Sequence, residues 1–107
     1  MPPYIFNERD ERLLLQYLLL TRQITALSDC FQHIIRLGNK PDNKINRDKF
    51  LAYKLFSQTE LSDIIMQVYK LCGLLDISIS ETIKMGMDRQ EEKKEAYLKR
   101  YPDDVWI

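Results

Sequence analysis

Glu60-Leu61-Ser62-Asp63-Ile64-Ile65-Met66-Gln67-Val68-Tyr69-Lys70-Leu71-Cys72 is the stretch on which the reading of this chain turns. Residues three or four apart on an α-helix share a face. Leu61, Ile64, Val68 and Leu71 therefore form an apolar seam, continued by Leu75, while Glu60 and Asp63 stand side by side on another face. Two carboxylates so close repel each other unless a cation or solvent relieves them. The pair has two readings. One is a solvated helix face, the usual fate of charged residues. The other is half of a divalent-metal site.

The segments on either side are also helical in pattern. Asn7 is placed to cap a helix whose first turn holds Glu8, Asp10 and Glu11. That helix runs to about Leu37, with Gly38-Asn39 as its stop. Leu13, Tyr17, Leu20, Ile24, Leu27, Phe31 and Ile34 alternate spacings of four and three along it, the mark of a packed helical stripe. Around Leu13–Leu20 it is apolar nearly all round, which calls for cover on more than one side. A homodimer through helix faces supplies that cover most simply; a monomer with this helix at its centre is the other possibility.

Asn39-Lys40-Pro41-Asp42-Asn43-Lys44 is the clearest loop. Arg36, Lys40, Lys44, Arg47, Lys49 and Lys54 make its surroundings basic, either as a solvated loop or as a rim that meets an anion such as a phosphate. The second helix is expected from about Arg47 to Leu75, with a possible break at Ser57-Gln58-Thr59. Ser78 or Ser80 caps a third helix that runs to about Arg100, with Glu95 and Lys99 in the favourable i, i+4 order. Tyr101-Pro102 ends it. Residues 1–7 form an irregular lead-in, and residues 101–107 a tail whose apolar end docks on the domain or on a partner.

Composition narrows the class. The 107 residues suit one domain, with 45% hydrophobic and 30% charged residues. Sixteen basic and sixteen acidic residues leave no net charge, so whole-chain charge gives no reason to expect nucleic acid or a membrane surface. No apolar run reaches the ~18 residues of a membrane span, and no signal layout opens the chain. A cytoplasmic location is expected. Cys30 and Cys72 fall in apolar helical patterns and read as small core thiols. His33 is the single histidine, which rules out a Cys/His zinc cluster of familiar spacing; it reads as a helix-surface or semi-buried residue.

Glu60-Leu61-Ser62-Asp63-Ile64-Ile65 resembles the acidic helix of the MazG-like all-α nucleoside triphosphate pyrophosphohydrolases, which carry Glu-Leu-(Ala/Ser)-Asp before apolar residues. The order of features agrees. Leu27-Ser28-Asp29-Cys30-Phe31-Gln32 is similar to the family's Leu-Ala-Glu-Leu-Phe-Gln, a loop with Pro follows, and Arg100-Tyr101-Pro102 matches the closing Arg-Tyr-Pro. The resemblance covers roughly residues 13–102. It implies an all-α, MazG-like antiparallel bundle of three to four helices, completed by dimerisation or a dimer of dimers. It also implies Mg²⁺ (or Mn²⁺) held by acids from two helices, and cleavage of a nucleoside triphosphate to the monophosphate and pyrophosphate.

Carried over residue by residue, the resemblance makes Glu60, Asp63 and Asp29 the metal ligands, and Gln23, Lys84 and Lys93 the substrate contacts. The chain departs from the family in its first acidic pair: Gln23 and Ala26 stand where Glu-x-x-Glu is expected. Tyr97 stands where an Asn is expected on the last helix. Three readings stay open. They are a divergent pyrophosphohydrolase with a reduced acidic site, a member of the same fold that binds or assembles without catalysis, and an unrelated helical interaction protein.

Overall fold

The computed structural model describes residues 7–107, and among them it contains three helices and no strand. They are α1 (Glu8–Leu37), α2 (Lys44–Leu74) and α3 (Ile79–Arg100). The chain divides into two compact units, Met1–Leu75 and Asp76–Ile107. The first is an antiparallel hairpin of α1 and α2; the second is α3 with the C-terminal segment. The lead-in expected over residues 1–7 lies, apart from Asn7, outside the described residues.

Local chemistry sets the helix ends. Asn7 accepts from the Asp10 backbone N–H at 3.0 Å, and the Asp10 carboxylate accepts from the Asn7 N–H at 3.2 Å. This reciprocal box satisfies two amides that the first turn leaves open. Gly38 caps α1 with right-handed φ of −62°, so it stops the helix without using the left-handed freedom of glycine. Asn43 caps α2 by accepting from Asn46 N–H at 2.9 Å, which starts that helix three residues before the expected Arg47. At the end of α2, Asp76 takes a left-handed φ of 56°. Short polar side chains tolerate this conformation better than most. Ser78 caps α3.

The break that the polar run at Ser57-Gln58-Thr59 left possible does not occur; α2 is continuous there. Ser57 Oγ donates to the Tyr53 carbonyl at 2.8 Å and Thr59 Oγ1 to the Leu55 carbonyl at 3.2 Å. Both hydroxyls are satisfied one turn back on the same helix, so polarity here does not interrupt it.

Burial reveals the packing. Along α1, part-buried residues recur at Leu13, Gln16, Leu20, Gln23, Leu27, Cys30, Ile34 and Leu37. Along α2 they recur at Asn46, Tyr53, Ser57, Glu60, Ile64, Gln67, Leu71 and Leu74. Alternating steps of three and four make a seven-residue repeat, the pattern of two helices wound on a shared seam. Only half of the stripe read from the sequence packs here. Leu13, Leu20, Leu27 and Ile34 enter the seam, whereas Tyr17, Ile24 and Phe31 remain exposed.

Two grooves near the loop tell the flanks of this seam apart. One is lined by Ile34, Gly38, Arg47, Phe50 and Leu51. The other is lined by His33, Arg36, Lys40, Lys49 and Tyr53. Stepping back from these residues by sevens extends each flank along the hairpin. The first flank carries Tyr17, Ile24 and Phe31 of α1 with Leu61 and Val68 of α2, and is apolar over most of its length. The second carries Arg12, Leu19, Ala26 and His33 of α1 with Lys49, Phe56, Asp63 and Lys70 of α2, and is largely ionic.

The second unit closes on itself. Tyr97 on α3 packs against Tyr101 and Trp106, with ring centroids 5.1 and 5.5 Å away. The Tyr97 hydroxyl donates to the Asp104 carboxylate, and the Val105 N–H donates to the same side chain at 2.8 Å. The tail expected to dock thus folds back on its own helix through Trp106, while Val105 and Ile107 stay exposed. The Glu95–Lys99 pair is not formed; the ion pairs among the described residues are Arg12–Glu8 and Arg47–Asp42.

Candidate functional site

The register of the hairpin places the acidic pair. His33 of α1 stacks on Tyr53 of α2 with centroids 4.6 Å apart and planes within 7°. In an antiparallel pair, each step forward on α2 is one step back on α1. Glu60, seven beyond Tyr53, is therefore level with Ala26, seven before His33. Asp63 is level with Gln23. The two acids of α2 thus stand across the seam from the two positions where the family pattern would put acids.

Glu60 is a seam residue, half-buried between the helices, with no hydrogen bond or ion pair. Asp63 lies one turn on, exposed, on the ionic flank. The Gln23 side chain enters the same seam, and its Oε1 is buried without a hydrogen-bond partner. A partly buried carboxylate and an orphaned amide oxygen are uncomfortable neighbours by themselves, because each loses water without gaining a donor. Carboxylate and amide oxygens are both ligand types that a hard divalent cation accepts.

Asp29 is exposed, level with Ser57, and on the ionic flank, since it lies seven before Arg36. It is three residues, ~4.5 Å of helix rise, beyond the level of Ala26. Among the described residues no three His, Cys, Asp or Glu side chains converge on one point. Asp63 and Gln23 share one level of the hairpin, and Glu60 lies a turn from them toward the loop, with Asp29 a further turn on. Lys84 and Lys93 stand exposed on α3, in the other unit.

Two seam residues were missed by motif reading. Gln16 and Gln67 also bury Oε1 atoms without partners. Gln67 is level with Leu19, between Gln16 and Gln23 one turn to either side. Their signal in the sequence is spacing: Gln16 and Gln23 are seven apart, as are Glu60 and Gln67. Polar residues at the inward positions of a seven-residue repeat sacrifice stability, and are kept for register or chemistry. Cys30 and Cys72 are free thiols, the first part-buried and the second buried, as their apolar settings implied. Comparison with known proteins returned no matching family model, no matching curated protein and no matching solved structure.

Proposed function

We propose that this chain is a divergent, Mg²⁺-dependent nucleotide pyrophosphohydrolase-like protein that works as a homo-oligomer, with a reduced metal site on the ionic flank of the α1–α2 hairpin. The observation that carries this reading is Glu60, a half-buried carboxylate without a partner, standing in register with Ala26 and one turn from the orphaned oxygen of Gln23. The donor set fits one hard cation that keeps several of its waters, rather than a multi-metal cluster. Glu60, Asp63 and Gln23 would hold it, with Asp29 available one turn away. When bound, such an ion offsets phosphate charge and lowers the pKa of a bound water.

The chain's own contribution is position. Glu60 lies in the seam at the level of the small Ala26 side chain. Asp63 presents a second carboxylate to solvent on the same flank, where a nucleotide phosphate can approach. Oligomerisation covers the opposite, apolar flank and leaves this one open.

The test is a panel of nucleoside triphosphates incubated with Mg²⁺ and assayed for pyrophosphate release, alongside thermal melts. Mg²⁺ or Mn²⁺ at 100 times its Kd should stabilise the chain by ~2.7 kcal/mol, and Glu60→Gln should abolish that rise. No metal effect at millimolar concentration would sink the catalytic reading. The exposed apolar flank favours a second reading, an assembly module of the same type without catalysis. An oligomer that neither responds to metal nor releases pyrophosphate selects it.

A further inference from the structure

The hairpin carries a second polar site, at its loop end, that the acidic pair does not use. His33, Arg36, Leu37 and Lys40 of the α1 end and Lys49 and Tyr53 of α2 surround a concave volume of about 340 Å³. Three of these six are permanent cations, one is a histidine, and no acid lines the wall. The side chains of Arg36, Lys40 and Lys49 form no ion pair or hydrogen bond. The one acid engaged near the loop, Asp42, pairs with Arg47 at 3.3 Å, and both line the other groove. Cations that converge on one cavity without an acid repel one another unless an anion joins them.

His33 and Tyr53 give this cavity an aromatic floor. The His33–Tyr53 stack joins the two helices, and Phe56 meets Tyr53 edge-on at 6.1 Å. The aromatic floor therefore holds α1 and α2 in register beneath the cations. Guanidinium and ammonium groups around such a floor suit phosphate oxygens, which accept charge-assisted hydrogen bonds from several directions.

We infer that this pocket binds the phosphate groups of a small phosphorylated molecule, at the size of pyrophosphate or a mononucleotide, independently of any metal at Glu60. The size of the cavity and the charge balance of the chain both favour a small ligand over a polymer. Sixteen basic residues are matched by sixteen acidic ones, and on the same flank Asp29 and Asp63 interrupt the path that a nucleic-acid backbone would follow.

Binding should be measured by calorimetry on the full chain, at low ionic strength with a chelator present. Pyrophosphate, a nucleoside monophosphate, a nucleoside triphosphate and a short single-stranded oligonucleotide are the probes. Pyrophosphate should bind, and the nucleotides should show whether a base adds affinity. Arg36→Gln with Lys49→Gln should weaken binding by roughly tenfold or more, as expected for lost hydrogen bonds to a charged group. Both positions are exposed, so circular dichroism should report an unchanged fold. Arg89→Gln with Lys99→Gln, an exposed Arg and Lys on α3, should change affinity little. Equal losses from the two pairs would overturn the assignment, because they would indicate attraction to surface charge alone. So would absence of pyrophosphate binding at millimolar concentration, or an oligonucleotide that outcompetes every small ligand. Because the chelator removes divalent metal, failure here is separate from failure of the site at Glu60.

Discussion

The two flanks of the α1–α2 hairpin share one backbone and one seam, yet they differ in almost every property that governs binding. On one flank Tyr17, Ile24, Phe31 and Leu61 are between 43 and 56% exposed, with no charged residue until Lys54 and Arg47 near the loop. On the other, His33, Arg36, Lys49, Asp63 and Lys70 alternate with small or apolar residues. Exposed apolar side chains of that extent suit contact with another surface, whereas exposed charged side chains are at home in water. The seam between them is itself divided: Leu20, Leu27, Ile34 and Ile64 supply packing, and Gln16, Gln23, Ser57, Glu60 and Gln67 do not. The lesson is that one seven-residue repeat, through the rotation it sets between two helices, leaves apolar side chains on one flank and charged ones on the other.

The largest effect expected from this contrast is on mass. Ile24→Asp combined with Phe31→Asp on the apolar flank should convert an oligomer to a chain of 12.8 kDa in multi-angle light scattering. Lys70→Glu on the ionic flank should leave the mass unchanged. A native chain that already runs as a monomer would break the assignment of assembly to the apolar flank.

A smaller effect sharpens the role of the polar seam. Gln67 is buried with an unpartnered oxygen, so Gln67→Leu should raise stability by ~1–3 kcal/mol, read from the urea midpoint. Gln23→Leu should likewise stabilise the metal-free chain, but it should also reduce the stabilisation by Mg²⁺. Destabilisation by both would show that these amides have partners that the seam relies on.

The smallest effects belong to the second unit and serve to confine the comparison to the hairpin. Gly86 lies within α3, and a Cβ there meets nothing within 4 Å. Gly86→Ala should therefore stabilise α3 by ~0.8–1 kcal/mol without changing the oligomer. A change in mass would implicate α3 in assembly. The C-terminal fold-back should respond to acid. The Tyr97 hydroxyl, and then the Val105 N–H, hold the Asp104 carboxyl below its ordinary value against a weaker opposing effect of burial. The contribution of Asp104 is present above the ordinary aspartate range and is lost as pH falls through its lowered folded value. On the alkaline side the same hydrogen bond raises Tyr97, with burial a lesser cause. That contribution is present below the ordinary tyrosine value and is lost as pH rises through the raised one. Fluorescence of Trp106, which packs on Tyr97, should report both transitions, and Tyr97→Phe should remove the acid one. A flat profile from neutrality into strong acid would show that ring packing alone holds the segment.

Much of the local structure was legible because it rests on local chemistry. Asn7, Gly38 and Ser78 mark helix ends through hydrogen bonds within a few residues, and the caps lie where their types and neighbours indicated. The start of α2 was read late because Lys44-Ile45-Asn46 follows directly on the turn residues Pro41-Asp42-Asn43, and only the cap shows that Asn43 opens the helix. The possible interruption at Ser57-Gln58-Thr59 is absent for a related reason. A hydroxyl can bond one turn back as readily as it can cap, and sequence does not tell which. At the candidate site, Glu60 and Asp63 were legible as a pair, but their surroundings were not. That Gln23 is buried without a partner, and that Gln16 and Gln67 share this condition, depends on which side of α1 faces α2.

What the sequence determined by itself is the helical content, the helix ends set by local caps, and an apolar stripe along α1 and α2. Each follows from periodicity or from hydrogen bonds that span no more than a turn or two. The tertiary structure decided which edge of that stripe is packed and which is left open. It also decided that Glu60 is level with Ala26, and that Arg36, Lys40 and Lys49 line one groove with the His33–Tyr53 stack. Those outcomes depend on the rotation and register of one helix against another. A stripe wide enough to serve two partners does not specify which of its edges will meet the first.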